Sequence, residues 1–394
     1  MTRPTSAPAS DGQGVLVVGA GPSGLLAAGA LAQAGLRATV LEAGNTPPAQ
    51  SRASTLHAGV MEILESLRVP GLGDLPVSRQ GHYVGLPLDL SDAPSAWAGI
   101  RKCPQPDLVR RLVRWAQDQG VVLEWGQPVS HVSQDSRGVE VRTGSGRTYA
   151  GQFLIAADGA DSTVRKVLGV GRTGHPATRS LVRADLATQG LPPRRFERIG
   201  RRTLVCATLD ATTTRIMMHD PEWAVGPEVD EARLRRAWTE STGQALPGGL
   251  TWIDTFGDGA TWNEQMVLSR IAFCGDAAHQ FVPIGGAALS SALIGAHALA
   301  ARVVRDLRGC PVARDEQAYE ATAEAAAEAG RLRAQARLLF DVDEAAVTER
   351  AEIAQRLEQD QDFRAEMVRQ VSRLTSGPAP SGFSSFPMGA VFSR

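Results

Sequence analysis

Cysteine is scarce: Cys103, Cys206, Cys274 and Cys310 are the only four in 394 residues, and no two form a Cys-x-x-Cys pair. That spacing excludes a zinc site, an iron-sulfur cluster and a disulfide framework, and a reducing cytoplasm is the expected location. Net charge is equally scarce. The 41 Lys and Arg residues nearly cancel the 42 Asp and Glu residues, leaving −1. No nucleic acid or anionic membrane is therefore expected as an electrostatic partner, and small uncharged substrates fit better. No clean spanning segment stands out either. The uncharged run from Gly14 to Gly35 is broken by Gly19, Gly21, Pro22 and Gly24 and has no basic segment before it, so it reads as a buried strand and helix. The length allows two domains, or one domain with a lobe.

Residues 1–12 are rich in Pro, Ser, Ala and Gly with no apolar period and are expected to be disordered. Val15 to Val18 then predicts a buried strand, Leu25 to Ala34 a helix, and Ala38 to Leu41 a second strand parallel to the first. Helices are predicted around Val60 to Ser66 and from Asp107 to Gln119, where Leu108, Leu112 and Trp115 recur at helical spacing. Short alternating strands follow at Val121 to Trp125, His131 to Ser133 and Val139 to Arg142, a meander suited to capping a nucleotide-binding sheet. From Leu181 to Trp262 the pattern mixes strand and loop, as in a lobe over a ligand cavity. From Ala313 to about Leu374 strong helix formers dominate.

Gly19-Ala20-Gly21-Pro22-Ser23-Gly24 is a G-x-G-x-x-G element between the first strand and helix, the context that makes this pattern a dinucleotide site. The first glycine makes the turn, the second admits a pyrophosphate, and the third lets helix and strand pack closely at the positive helix N-terminus. Glu42 closes the second strand, where a carboxylate can hold a ribose hydroxyl.

Two further motifs follow apolar strands: Asp158-Gly159-Ala160-Asp161-Ser162-Thr163-Val164-Arg165 after Phe153 to Ala156, and Gly275-Asp276-Ala277-Ala278-His279 after Ile271 to Phe273. With the glycine element, these resemble the three ordered motifs of class A flavoprotein monooxygenases, the family of p-hydroxybenzoate hydroxylase and the aromatic polyketide hydroxylases. Over about Val15 to Leu307 the resemblance implies FAD as cofactor, with Asp276 near its ribityl chain, Arg52 of Ser51-Arg52-Ala53 on its pyrophosphate and Gln105 beside the ribityl group. Pro283, Gly285, Gly286, Ala287, Ala288 and Leu289 would then lie against the flavin ring, with Pro283 positioning it. The match is incomplete there. Ala288, Ser290, Ala292 and Gly295 stand where the family has glycine, asparagine, glycine and aspartate, and Gly59 replaces an arginine of many polyketide hydroxylases. Each added Cβ can obstruct a close backbone approach.

The resemblance implies an α/β protein: a discontinuous Rossmann-like FAD-binding domain (13–77, 101–176, 263–316), an inserted mixed-sheet substrate domain (78–100, 177–262) and a helical C-terminal section (317–394). The thioredoxin-like domain that continues many polyketide hydroxylases is expected to be missing. The implied reaction is hydroxylation of a phenolic or polycyclic aromatic substrate by O2 through a C4a-hydroperoxyflavin, with NAD(P)H as co-substrate and the enzyme a monomer or homodimer. His57, read as lying in a loop facing the flavin, is a candidate for helping to ionise a phenol, with packing equally open. His279 reads more readily as a hydrogen-bonded structural histidine than as a base. Phe273-x-Gly275-x-x-x-His279-x-x-x-Pro283 and Gly169-x-Gly171-x-x-Gly174 fit patterns of ketone monooxygenases, but in the wrong order, and no helix is predicted after the second glycine element. A rival remains from another class: a non-redox cyclase, isomerase or partner of a tailoring enzyme that keeps the fold with an altered flavin loop.

Overall fold

The computed structural model describes residues 14–47, 53–226, 228–309 and 314–374, with side chains from 320 onward in the last segment. The segment 1–12, Arg52 and Cys310 lie outside these residues. Val15–Val18 (β1) is apolar at every position and buried throughout, as a strand covered on both faces must be. It pairs in parallel with Ala38–Leu41 (β2) on one side and with Phe153–Ala156 on the other. The six-stranded sheet runs, in spatial order, Val267–Leu268, Ile271–Phe273, Phe153–Ala156, β1, β2 and Val122–Glu124. All neighbours in it are parallel except the Val267–Leu268 edge. The three predicted motifs therefore follow three adjacent central strands, at their C-terminal ends, where open α/β sheets bind ligands.

Helix α1 (Pro22–Gln33) crosses from β1 to β2 and buries Leu25, Leu26 and Leu31. Gly29 is required by its neighbour: a Cβ there would collide with the ring of Trp115 on α3 (Gln105–Asp118), whose indole N–H donates to the Leu67 carbonyl at 3.1 Å. The antiparallel meander Val129–Gln134, Val139–Thr143 and Thr148–Gly151 lies where alternation predicted it, with the inward positions Val139, Val141 and Thr143 buried.

A five-stranded antiparallel sheet, ordered Arg194–Ile199, Arg202–Thr208, Thr213–His219, Ser180–Ala187 and Leu250–Gly257, replaces the expected mixture of strand and loop between 181 and 262. One element there escaped the sequence reading: helix α5 (Glu231–Thr242), which packs Leu234, Ala237 and Trp238 on that sheet. Its signals were present, since Asp230 caps its start by accepting from the Arg233 N–H at 2.8 Å and Gly243 ends it in the left-handed region. The second glycine element, Gly169 to Gly174, runs into the strand Arg172–His175, and after Pro176 comes the strand Ser180–Ala187 rather than a helix, as predicted.

His57 is not in a loop. It ends the short strand Thr55–His57 (β3) and opens helix α2 (Ala58–Ser66), with 4% of its surface exposed. The single helical section expected after Ala313 is divided into α7 (Arg314–Phe340), α8 (Glu344–Gln359) and α9 (Gln361–Val371). The divisions fall at Asp343 and Asp360, whose carboxylates cap α8 and α9. Helix α6 (Ala287–Leu307) is long and apolar enough to cross a membrane, but it packs against α1 and buries Leu293, Ala296, Ala300 and Val303 in the main core.

Candidate functional site: a dinucleotide cradle and a ring-facing turn

The cradle begins at the N-terminus of α1. Gly19 has φ +104°, and a Cβ on it would collide with the Ala157 carbonyl. A Cβ on Gly24 would strike the Gly19 carbonyl, so helix and strand touch only because both residues are glycine. Gly21 differs: among the described residues its Cβ direction meets nothing within 4 Å. Pro22 starts the helix without needing a donor, no side chain caps the first turn, and that turn carries no acidic residue. Open space in front of uncapped N–H groups is what a pyrophosphate needs.

The Glu42 carboxylate ends β2 beside this space, accepting from the Ala20 N–H at 2.7 Å and the Gly44 N–H at 2.8 Å. These bonds aim it across the cradle while leaving further lone pairs. Asp158 accepts from Ser162 Oγ at 2.6 Å and the Val164 N–H at 3.0 Å, which folds its turn and presents Gly159 to open space. Gly275, at φ +59°, sits over Ser23, since a Cβ there would lie 2.7 Å from Ser23 Oγ. The exposed Asp276 is thereby brought across from α1. Gln105 starts α3, and its N–H donates to the Ala53 carbonyl, next to the undescribed Arg52. Thus residues from five sequence segments surround one edge of the sheet. They fit the nucleotide half of FAD, which would meet Gly21, Ser23, Glu42, Gly159 and Asp276.

Arg172 carried no signal in the sequence, yet it holds the Gly-Asp turn. Its guanidinium donates to the carbonyl of Asp276 at 2.7 Å, to Gln280 Oε1 at 2.5 Å and to Asn263 Oδ1 at 3.3 Å. Replacing Arg172 with Met removes that fork while keeping the stem. FAD retention, measured as the flavin-to-protein absorbance ratio after gel filtration, should fall clearly, as expected for a dissociation constant raised about tenfold or more, ~1.4 kcal/mol. An unchanged ratio would refute this role for Arg172.

The second half of the site is the turn before α6. Pro283 is half-buried, Gly285 and Gly286 have φ +57° and +85°, and Gly286 opens α6 with no side-chain cap. The Ala287 N–H is taken by the Ile284 carbonyl and that of Ser290 by Gly286. The N–H groups of Ala288 and Leu289 have no acceptor among the described residues. A Cβ on Gly286 would lie 2.6 Å from Thr55 Cβ, and one on Gly285 2.9 Å from His82 Nε2. Ser290, where the resembled family has asparagine, is fully buried and its Oγ lies 2.8 Å from His57 Nδ1.

Burial, with Arg373 and Lys102 as the main charged neighbours, pushes the His57 ring down to about 3. A ring so reluctant to take a proton is a poor base toward a phenol, and its surroundings favour the hydrogen-bonding role with Ser290 over the ionising one. His279 stacks flat on Phe281 at 4.3 Å and burial holds it near 4. Arg373, just after α9, is brought to the same region: the Gly59 N–H donates to the Ser372 carbonyl at 3.0 Å, and any Cβ on Gly59 would strike the Arg373 carbonyl. The arginine side chain pairs with Glu328 of α7, which also binds Arg331 and Ser291. Neither Arg373 nor Glu328 could be linked to the site from sequence spacing.

Residues 13–333 match the family model described as FAD binding domain. Among curated proteins, dialkyldecalin synthase of Streptomyces rugosporus is 30% identical over 71% of this chain and 62% of its own length. Rifampicin monooxygenase of Streptomyces venezuelae is 28% identical over 75% of this chain and 64% of its own. The chain thus spans a little over three fifths of these relatives. The crystal structure of CabE, an aromatic hydroxylase from angucycline biosynthesis, superposes with a TM-score of 0.82 at 26% identity, covering 93% of this chain and 78% of that one. Three motifs around one sheet edge and a family match over most of the chain agree: this protein belongs to the FAD binding domain family, as its resemblance to the class A flavoprotein monooxygenases implied.

Proposed function

We propose that this chain is an FAD-dependent monooxygenase that hydroxylates a phenolic or polycyclic aromatic small molecule at the expense of NAD(P)H and O2. The observation that carries the reading is the pairing of an open cradle at Gly21 with the start of α6, a helix packed on α1, where the Ala288 and Leu289 N–H groups have no acceptor among the described residues. Several relatives, including the rifampicin monooxygenase, carry names of that reaction class. Bound FAD would supply the electron transfer from NAD(P)H to O2 and the electrophilic oxygen. The work left to the chain is positional. Pro283 and Gly285 fix the turn, the α6 N-terminus stabilises negative charge gathering on its ligand, and Arg172 keeps Asp276 in place. The segments 13–77, 101–176 and 263–316 would form the FAD-binding domain, and 78–100 with 177–262 the cover over the substrate.

A second reading is favoured by a specific observation. Dialkyldecalin synthase is among the most similar relatives, and in this chain the altered turn residue Ser290 is tied up by His57. A ring-forming catalyst that binds FAD without turning it over would use the same scaffold. The visible spectrum of the FAD-loaded protein under anaerobic NADPH, with a panel of phenolic polycycles, separates the two. Bleaching that quickens with one compound, followed by hydroxylated product in air, supports the monooxygenase. Bound flavin that no nicotinamide reduces, with or without those compounds, refutes it in favour of the cyclase.

A further inference from the structure

Three separate strands deliver polar side chains to the Gly285–Gly286 turn. Thr55 and His57 come from β3, His82 from Gln80–Tyr83, and Lys102 from Ile100–Lys102, which pairs Thr55 with Lys102. Lys102 Nζ donates to Thr55 Oγ1 at 3.0 Å, and Thr55 in turn lies against Gly286. His82 Nδ1 accepts from the Gly85 N–H at 3.3 Å, which leaves the ring proton on Nε2, the atom facing Gly285. Lys102, His82, Gly285 and Gly286 all keep part of their surface open.

The charge around Lys102 is unbalanced. Among the described residues no carboxylate pairs with it, and its charged neighbours are Arg195 and Arg215. Asp185, the partner of Arg215, is committed to it through bonds of 2.7 and 2.8 Å, and Glu328 holds Arg373 and Arg331. Arg195 is turned toward the carbonyls of Gln80 and Gly81 and brings no counterion. Burial and these cations depress the Lys102 ammonium, and burial, Arg195 and Lys102 push the His82 ring down to about 4, leaving it a neutral donor. A largely desolvated ammonium without a counter-charge is costly, and an incoming negative charge relieves that cost.

We propose that Lys102 and His82 form a recognition site for a single ionised oxygen of the substrate, a phenolate or the enolate of a β-dicarbonyl, and so select acidic substrates over neutral ones of the same shape. One ammonium and one imidazole N–H suit one oxyanion. The bidentate fork that matches two oxygens of a carboxylate or phosphate at once is absent here among the described residues, since the guanidinium of Arg195 is engaged elsewhere. The proposal rests on the flavoprotein reading only for the identity of the turn as the ring-facing one.

The test uses the full chain loaded with FAD and 4-nitrophenol, which is coloured only when ionised, with 4-nitroanisole as the neutral counterpart. At a pH where free 4-nitrophenol is mostly neutral, wild type should bind it in the coloured form and prefer it to the anisole. Lys102→Met should weaken nitrophenolate binding about tenfold or more, raising the apparent pKa of the bound probe by about one unit. Lys102→Arg should keep most of the affinity, and His82→Phe should lose part of it, so the site stays testable if Lys102→Met misfolds. Wild type that binds the two probes equally, or a Lys102→Met variant that binds nitrophenolate undiminished, overturns the proposal. A variant that instead releases FAD while its probe preference persists also overturns it, assigning the cation to the cofactor. Binding needs no turnover: phenolate held through Lys102 in a protein that never consumes NAD(P)H keeps this site and rejects the hydroxylase.

Discussion

Gly21→Ala is expected to empty the FAD site while leaving the fold almost as stable, whereas Gly24→Ala, three residues on, is expected to damage the fold itself. The two glycines look equivalent in the fingerprint, but the space around them differs. Gly21 has φ −73°, open to any residue, and its Cβ would project into empty space at the head of α1. Alanine at that capping position costs at most about 1 kcal/mol. The same methyl occupies the ground where a pyrophosphate must approach the backbone, so FAD affinity should fall by at least about tenfold, or ~1.4 kcal/mol. At Gly24 the added carbon collides with the Gly19 carbonyl, a backbone atom that cannot swing aside, and overpacking of that kind costs about 1–3 kcal/mol or more. Melting must be followed on flavin-stripped protein, because bound FAD stabilises the native state by mass action. FAD binding by Gly21→Ala at wild-type strength, or equal loss of apo stability in both variants, would show that Gly21 does not face the cofactor.

Glu328→Gln is expected to destabilise the protein by about 3 kcal/mol at pH 7 and by much less at pH 3. Burial alone would push the Glu328 carboxyl up, yet Arg373 and Arg331 hold it at about 2, below its usual 4.5. A carboxyl depressed in the folded state contributes stability that is fully present above its unfolded value. That contribution is lost as pH falls from about 4.5 toward 2. Glutamine has the shape but not the charge, and it leaves the Arg373 guanidinium buried without its partner. Since the Ser372 carbonyl accepts from the Gly59 N–H, the end of α9 should loosen with it. Chemical denaturation of both proteins at pH 7 and pH 3 reads the difference. A gap that is the same at both values would mean that Glu328 acts by packing and not by charge.

The parts of the site that were legible in the sequence share a property: each is a local pattern whose meaning is fixed within a few residues. Gly19, Gly21 and Gly24 lie on one turn between a strand and a helix, and Asp158 binds its own turn through Ser162 and Val164. The parallel order of β1, β2 and Phe153–Ala156 was likewise implied by apolar runs with those motifs at their ends. Helix α5 was missed although Asp230 and Gly243 bracket it, because its charged face, Arg233, Arg235 and Arg236, hides an apolar stripe only three residues wide. Arg172, Lys102, His82, Glu328 and Arg373 were silent, since nothing near them in sequence marks them and their partners lie tens to hundreds of residues away.

By itself, then, the sequence determined the nucleotide half of this protein: a buried parallel sheet, a glycine-shaped cradle and the carboxylates at its edge. Backbone geometry and hydrophobic period are properties of short segments, so they can be read in order along the chain. Only the tertiary structure decided the surroundings of the turn before α6. It turned His57 from a candidate base into a buried hydrogen-bonding partner of Ser290, and it brought the end of α9 against Gly59. It also left Lys102, beside the Gly285–Gly286 turn, without a carboxylate among the described residues. Desolvation and charge balance depend on everything that packs around a group, and for these side chains the surroundings are assembled from strands and helices that meet only when the chain is folded.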